Sequence, residues 1–476
     1  MSNAKRILFV TPHYPPSPSV GTQRMIRFIK NLARRGWEVF VLTQKEEYYP
    51  LQSIITENGI PQERVHVIRT AKWDPFRLWG TMKNILRGGK KSSSDTNRPT
   101  RDASNNSNNG KPKSTPAQSK NRSVLFRVID FITRMMQYPD RENGWMWSVA
   151  WHTWRIVRKE NIPVVFASSP PHSPYLPLNV LRSVMGFRYV VDFRDPWARS
   201  QWSRETRTLY EKVARRLDIY FEQRTLRRAD AIVFNNEVLF EEYQRSYPSY
   251  HLEQKSEILT NGFDPDVGDE TVIFGERHTR GEPDIVIIHA GTLYKKRDPR
   301  NIFTALLTLR EEMPTEVQRL RFKFLGHVTP DLHYLFDFVK ENELEQQVEF
   351  LPPRPYQQAL QEMMNADWLL ILQPVTRIQV PAKFFDYLLM PRPIWGVVEP
   401  DSISERLIQQ LHVGRVSYND DPESILQFFR HVLSEKQSRF APNQENLEQF
   451  MVPNIVARLE NVLLNTHHHE EPVLES

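Results

Sequence analysis

Apolar residues along this chain alternate between two kinds of run: short unbroken stretches, and longer ones with helical spacing. Residues 6–10, Arg6-Ile-Leu-Phe-Val10, read as a buried strand. A loop over residues 11–21 follows, then Met25, Ile26, Phe28, Ile29 and Leu32 recur at helical spacing across residues 22–35, and residues 38–43 return as a strand. Strand, helix and strand in that order predict a βαβ unit opening a parallel sheet. Further strands are expected over residues 65–69, 164–167, 189–192, 231–234 and 258–264, the last ending in the turn Asn261-Gly262. A second series follows. Strands at 285–289, 322–325, 348–351, 368–372 and 394–398 alternate with helices at 300–312, 332–342, 356–365 and one opening at Pro381. The pattern predicts two parallel α/β domains facing across a cleft, with ligands bound beyond the strand C-termini.

Three stretches break the alternation. Residues 87–122 are dominated by Ser, Asn, Lys, Gly and Pro, a composition expected to remain a disordered insertion. Residues 145–154 hold Trp145, Trp147, Trp151 and Trp154 on a helical segment. Residues 204–228 read as a basic helix with Leu209, Val213, Leu217 and Phe221 as an apolar stripe beside Arg207, Lys212, Arg215, Arg216, Arg224, Arg227 and Arg228. Two readings of that helix stand: a stripe that faces the core, or one that lies on an anionic membrane.

Composition narrows the class. A chain of 476 residues, 39% hydrophobic and 25% charged, is long enough for two or three cores and has no apolar run of about 18 residues that would span a bilayer. The apolar stretch after Lys5-Arg6 is too short for a signal peptide, so a cytoplasmic location is expected. With no cysteine, disulfides, thiolate nucleophiles and Cys-ligated zinc are excluded. The net charge of +6 divides unevenly: residues 1–270 hold 42 Lys or Arg against 28 Asp or Glu (+14), and residues 271–476 hold 21 against 29 (−8). A basic half suits nucleic acid, anionic lipid or a phosphorylated substrate; the nucleic-acid reading rests on the insertion alone and is not expected.

Candidate chemistry concentrates at strand ends. Pro381 suits a first helical turn, so the amides after it, with Lys383, form a seat for an anion, while Asp386 is placed to accept from ribose-like hydroxyls. Gly291 and Thr292 turn the chain after the strand ending at His289 and lead to Lys295, Lys296 and Arg297, a loop suited to phosphate although no Walker pattern is present. After residues 189–192, Arg194 and Asp195 reach the same edge, either as cleft groups or as a structural ion pair. His13 and His172 occupy equivalent edges as candidate acid or base groups. His467, His468 and His469 sit in a polar tail and are assigned no metal.

These residues resemble the family 4 glycosyltransferases of the GT-B fold. The resemblance is carried in order by residues 7–16 with Gly21, Arg35-Gly-Trp-Glu-Val39, Asp192-Phe-Arg-Asp-Pro-Trp197, Thr260-Asn-Gly-Phe-Asp264, Gly291-Thr-Leu293 with Arg297-Asp-Pro299, and Pro381-Ala-Lys-Phe-Phe-Asp-Tyr-Leu388. It implies a retaining, metal-independent hexosyl transfer from a nucleotide-sugar to a lipid-linked, anionic or saccharide acceptor in cell-surface exopolysaccharide or O-antigen synthesis, with peripheral contact at the inner membrane face and no cofactor. It also implies an acceptor domain over residues 1–265, a donor domain over 266–440, and over 441–476 a tail whose helix, about 446–464, crosses back to the first domain. Gly21, Gly291, Thr292, Arg297, Lys383 and Asp386 would bind the donor, with Arg194, Asp195, Arg297 and Lys383 catalytic. The chain departs from the family at three positions: Ile378 stands where its first motif Glu falls, Thr292 where an Arg is common, and Arg194 where an active-site His is common. A sugar-nucleotide epimerase of the same fold and a non-catalytic binding subunit are the rival readings.

Overall fold

The computed structural model describes residues 5–17, 19–49, 59–73, 131, 134–198, 208–264, 277–280, 283–435, 438–442 and 444–464. The expected insertion at 87–122 and the three tail histidines lie outside them. The chain runs β1 (Arg6–Val10), α1 (Val20–Arg34), β2 (Glu38–Gln44), β3 (Val65–Thr70), α2 (Met146–Glu160), β4 (Val164–Ser169), α3 (Tyr175–Met185), β5 (Arg188–Phe193), α4 (Leu209–Arg228), β6 (Ala231–Phe234), α5 (Glu237–Ser246) and β7 (Ser256–Ile258). It continues with β8 (Arg277–His278), β9 (Ile285–Ala290), α6 (Arg300–Glu312), β10 (Leu320–Leu325), α7 (Tyr334–Glu341), β11 (Val348–Leu351), α8 (Tyr356–Met364), β12 (Trp368–Gln373), α9 (Lys383–Tyr387), β13 (Ile394–Val398), α10 (Ile403–Gln410), β14 (Gly414–Tyr418) and α11 (Pro422–Ser434). It closes with β15 (Arg439–Phe440), α12 (Gln444–Glu448) and α13 (Val452–Leu464).

Two parallel sheets result. The front sheet has the order β3-β2-β1-β4-β5-β6-β7 and the rear one β11-β10-β9-β12-β13-β14. Helices cover both faces of each, which is why Ile7, Leu8, Phe9 and Val10 are all fully buried and the strands read as unbroken apolar runs. The strand order reverses between β1 and β4 and again between β9 and β12. At such points neighbouring loops diverge to opposite faces and leave a crevice beyond the strand ends.

The last helix belongs to the front core. Val452, Ile455, Val456, Leu459 and Leu463 of α13 pack with Ile7, Phe9, Ile29 and Trp37, and Glu460 accepts from Trp37 Nε1 at 2.8 Å and pairs with Lys5 at 2.9 Å. The expected single helix over 446–464 is instead two, because the chain at Phe450 and Val452 leaves helical pairing to bond with Phe263 across the joint between the sheets.

Other expectations also change. The strand predicted over 258–264 stops at Ile258, since the carbonyls of Leu259 and Thr260 are drawn to the Arg24 guanidinium at 2.8 and 2.9 Å. Helices α3, α5, α10 and α11 and strand β14 have no counterpart among the expected elements; α3 carries Pro177 in its first turn and follows Pro170, Pro171 and Pro174, which hide its apolar spacing. The face of α4 that turns inward is Ala214, Asp218, Glu222 and Thr225, not the stripe from Leu209 to Phe221, and Leu209 is 70% exposed. Asp218 accepts from Trp197 Nε1 (3.2 Å), and Glu222 from Ala198 N (3.1 Å) and the Tyr243 hydroxyl (2.6 Å). Buried carboxylates are tolerated where donors meet them, so a polar face packs here and pins the loop after β5. Among the described residues, no helix is long and apolar enough to cross a membrane.

Leu459→Ala, which deletes a fully buried side chain from the contact between α13 and the front sheet, is expected to lower the unfolding free energy by about 2–5 kcal/mol, read as a lower urea midpoint at unchanged slope.

Candidate functional site

The C-terminal strand edges of the two sheets enclose a cleft of about 490 Å³. Its front wall comes from loops after successive strands: His13 after β1, Pro170 after β4, Arg194 and Asp195 after β5, and Asn235 after β6. Its rear wall is Gly291, Tyr294 and Arg297 after β9, Gln373 at the end of β12, and residues 379–383.

A buried ion pair builds the front wall, but not the pair the sequence suggested. Arg24 of α1 holds Asp192 in a fork, Nη2 to Oδ1 at 2.8 Å and Nε to Oδ2 at 3.2 Å, both side chains almost fully buried. Ser168 Oγ donates to the same carboxylate at 2.7 Å. The signal was present: Arg24 lies one turn before Phe28 on the apolar face of α1, and its guanidinium stands 4.6 Å over that ring.

Arg194 and Asp195 are not ion-paired with each other. Arg194 donates from Nε to Ser169 O (3.1 Å) and from Nη2 to Pro170 O (2.5 Å), which aims Nη1 across the start of α1. A Cβ on Gly21 would sit 1.8 Å from that Nη1, so glycine alone leaves room for the guanidinium. Burial works against the charge of Arg194, and Asp192 and then Asp195 favour it. Asp195 instead accepts from Gln379 Nε2 of the rear half at 2.6 Å, a bond that spans the cleft. His13 lines the front wall with Nε2 on Pro170 O at 2.7 Å. Burial, then Arg194, lowers its pKa to about 3, so its imidazole is neutral throughout the physiological range and carries no acid proton to donate beyond the one on Pro170 O.

On the rear wall Lys383, Arg297 and Gly291 converge. Lys383 Nζ lies 2.6 Å from His289 Nε2 and 3.1 Å from Nδ1, and His289 Nδ1 is 3.1 Å from Leu370 O. A donor on Nδ1 toward that carbonyl leaves Nε2 as the acceptor for the lysine. Desolvation, followed by Arg297, pushes Lys383 well below the usual ammonium range; desolvation, then Lys383 and Arg297, pushes His289 well below the usual imidazole range. Gly291 has φ +142°, and a Cβ there would meet Lys383 Nζ at 3.3 Å. Arg297 stacks 5.2 Å over Tyr294 and reaches Gln373 Oε1 at 3.4 Å, whereas Lys295 is exposed.

The helix that carries Lys383 is shorter than its sequence promised. α9 begins at Lys383, not Pro381, and lasts five residues, and the amides of Phe384 and Phe385 already donate to Pro381 O (2.9 Å) and Ala382 O (3.1 Å), so they do not serve an anion as expected. Its far end is fixed by Arg277 of β8, a fully buried guanidinium that donates to the carbonyls of Tyr387 (3.1 Å), Leu388 (2.7 Å), Met390 (2.9 Å) and Arg392 (3.1 Å). Burial lowers the pKa of Arg277 to about 9. Nothing in the local pattern around Arg277 marks it in advance.

A second hollow of about 340 Å³ adjoins the cleft, shares Gly291 and Lys383 with it, and is lined by Thr292, His327, Arg354, Asp386 and Tyr387. Thr292 and Asp386 therefore face this hollow and not the main cleft. His172 faces neither: its ring stacks on Trp197 at 4.6 Å with 3° between planes, which removes it from the candidate acid or base groups.

Residues 112–267 match the model of Glycosyltransferase Family 4. No curated protein matches the sequence. Among solved structures, HepE from Anabaena in complex with UDP is similar over 96% of this chain and 99% of its own, with a TM-score of 0.57 at 11% identity. WaaG, a glycosyltransferase involved in lipopolysaccharide biosynthesis, aligns over 96% of this chain and 100% of its own (TM-score 0.52, 13% identity). Sucrose-phosphate synthase from Thermosynechococcus elongatus aligns over 96% and 95% (TM-score 0.51, 11% identity). At these identities the likeness concerns the fold, and the fold is GT-B: two Rossmann-like α/β units facing across a cleft.

An anion entering beside Lys383 restores the charge that burial suppresses there, so binding takes up protons and affinity rises as pH falls between the free and bound pKa values. Titration calorimetry of pyrophosphate in buffers of different ionisation enthalpy is expected to show this uptake, and Lys383→Met to remove the part due to the lysine.

Proposed function

We propose that this chain is a retaining glycosyltransferase that takes a sugar from a nucleotide-sugar, without a metal, and passes it to a lipid-linked, anionic or saccharide acceptor in cell-surface polysaccharide synthesis. In this reading residues 266–440 hold the donor and residues 1–265 the acceptor, at the cytoplasmic face of a membrane. The observation that carries it is the convergence of Lys383 and Arg297 on the glycine turn at Gly291, opposite Arg194 on the front wall of the same cleft. The matched family model and the UDP named for the similar HepE structure support a nucleotide-sugar partner.

The chemistry follows from those groups. As the bond between the anomeric carbon and the diphosphate oxygen breaks, an acceptor hydroxyl oxygen bonds to that carbon and its proton leaves on the diphosphate. Negative charge grows on the departing oxygens, and preorganised cations in a water-poor site lower that barrier most. Arg297 and Lys383 take that role. In this reading Asp386, which lines the adjoining hollow, takes the ribose hydroxyls, and Arg194 and Asp195, which line the cleft, serve the sugar and acceptor.

One observation favours the second reading, a non-catalytic binding subunit. Ile378, at the family's first motif Glu, is 7% exposed, packed in the rear core, and its carbonyl accepts from Asn236 Nδ2 at 2.9 Å. The two readings separate in one experiment. A saturating UDP-, GDP- or ADP-sugar, at about 100 times its dissociation constant, stabilises the fold by about 2.7 kcal/mol in either reading. Only the enzyme then turns the donor over, and Arg297→Ala and Lys383→Ala are each expected to lower that turnover by about 10²–10³. Unchanged turnover in both variants contradicts the assignment.

A further inference from the structure

The tryptophans singled out in residues 145–154 have no role in the cleft. Trp145 is fully buried and donates from Nε1 to Thr70 Oγ1 at 2.7 Å, but Trp147 is 67% and Trp151 57% exposed. They lie one turn apart on the outer face of α2. Trp151 stacks on Trp154 at 5.3 Å, and Arg158 stands 4.9 Å from that ring. Because α2 precedes β4 and runs antiparallel to it, its aromatic end lies at the cleft-side edge of the front sheet. Trp73, 51% exposed, joins it there, its amide on Gly144 O at 3.1 Å, and Tyr48, 40% exposed, follows through its hydroxyl bond to Lys72 N.

Charge decides what covers this face. Helices α2, α3 and α4 pack side by side over one face of the front sheet. They carry ten Lys or Arg (three, one and six) against four Asp or Glu (one, none and three), and two of those four, Asp218 and Glu222, are buried inward. The remaining surface therefore combines exposed tryptophans and aliphatics such as Val184, 72% exposed, with an outward excess of cations. Tryptophan favours the boundary between water and hydrocarbon, and basic side chains are attracted to anionic headgroups.

We infer that the outer face of α2 to α4 docks on an anionic lipid bilayer, with Trp147 and Trp151 as the residues that enter the interface. Docking there sets the cleft-side rim of the front sheet against the membrane, where a lipid-linked acceptor is presented. The inference rests on the membrane-side acceptor of the reading above and uses nothing from the donor half.

Flotation of the full chain with vesicles of phosphatidylcholine alone, or with about a third phosphatidylglycerol, tests it. The intact protein is expected to bind the anionic vesicles, more weakly at high salt, and to leave the neutral ones. The double variant Trp147→Ala/Trp151→Ala is expected to lose at least about tenfold in partitioning, the size that withdrawing large apolar side chains from a lipid interface entails. Its thermal unfolding and its stabilisation by a nucleotide-sugar should be unchanged, so loss of docking and loss of the donor assignment are read separately. Wild-type vesicle binding by the double variant overturns the inference. So does failure of the intact protein to bind anionic vesicles, a change of oligomeric state in the variant that marks the face as a contact between copies, or retention of an acidic polysaccharide in place of vesicles.

Discussion

A lysine held in a half-buried seat organises the rear half of this molecule. Lys383 has His289 against its amine and Arg297 nearby, and desolvation, then Arg297, lowers its pKa, so an anion that enters favours its charged form. Every element around it serves to hold that position. Gly291 keeps its side of the seat free of a Cβ, Leu370 fixes the histidine, and Arg277 gathers four carbonyls at the end of the single turn that presents the lysine. A one-turn helix has little stability of its own, and a guanidinium that satisfies its terminal carbonyls replaces the turns it lacks.

The front half is arranged on the same plan around a different pair. Arg24 and Asp192 neutralise each other in the core and tie the start of α1 to β5 and to the loop after β7. Among the described residues, Arg194 is then the front-wall arginine turned toward the cleft beside Gly21 and free of a carboxylate partner, while Asp195 reaches across to Gln379. The loop bearing both is fixed from behind by Asp218 and Glu222. The two halves meet through the bond from Gln379 to Asp195, through Arg406 to Glu241 (2.6 Å), and through the backbone bonds of Phe263 with Phe450 and Val452.

Much of the fold was legible because buried parallel strands leave unbroken apolar runs. β1, β6, β11, β13 and α6 were read to the residue, and the two-sheet architecture followed from the order of the runs. What failed did so for local reasons. Prolines masked α3, carbonyl capture by Arg24 ended β7 early, and paired carboxylates turned the polar side of α4 inward. Gly291, Arg297 and Lys383, expected near one another from their positions after strands, do line one cleft. His289 and Arg277 were not singled out, since a histidine ending an apolar run and an arginine in the polar run Glu276-Arg-His-Thr-Arg280 reveal their partners only when distant strands come together. His172 was misread for the converse reason: a loop histidine gives no sign that a tryptophan 25 residues later will cover it.

The most direct measurement of the central claim is the crystal structure of the full chain soaked with UDP. The account predicts a diphosphate within hydrogen-bonding distance of Lys383 and Arg297, above Gly291, with its ribose toward Asp386. A diphosphate bound elsewhere on the molecule, or one in the cleft that touches neither cation, would contradict it.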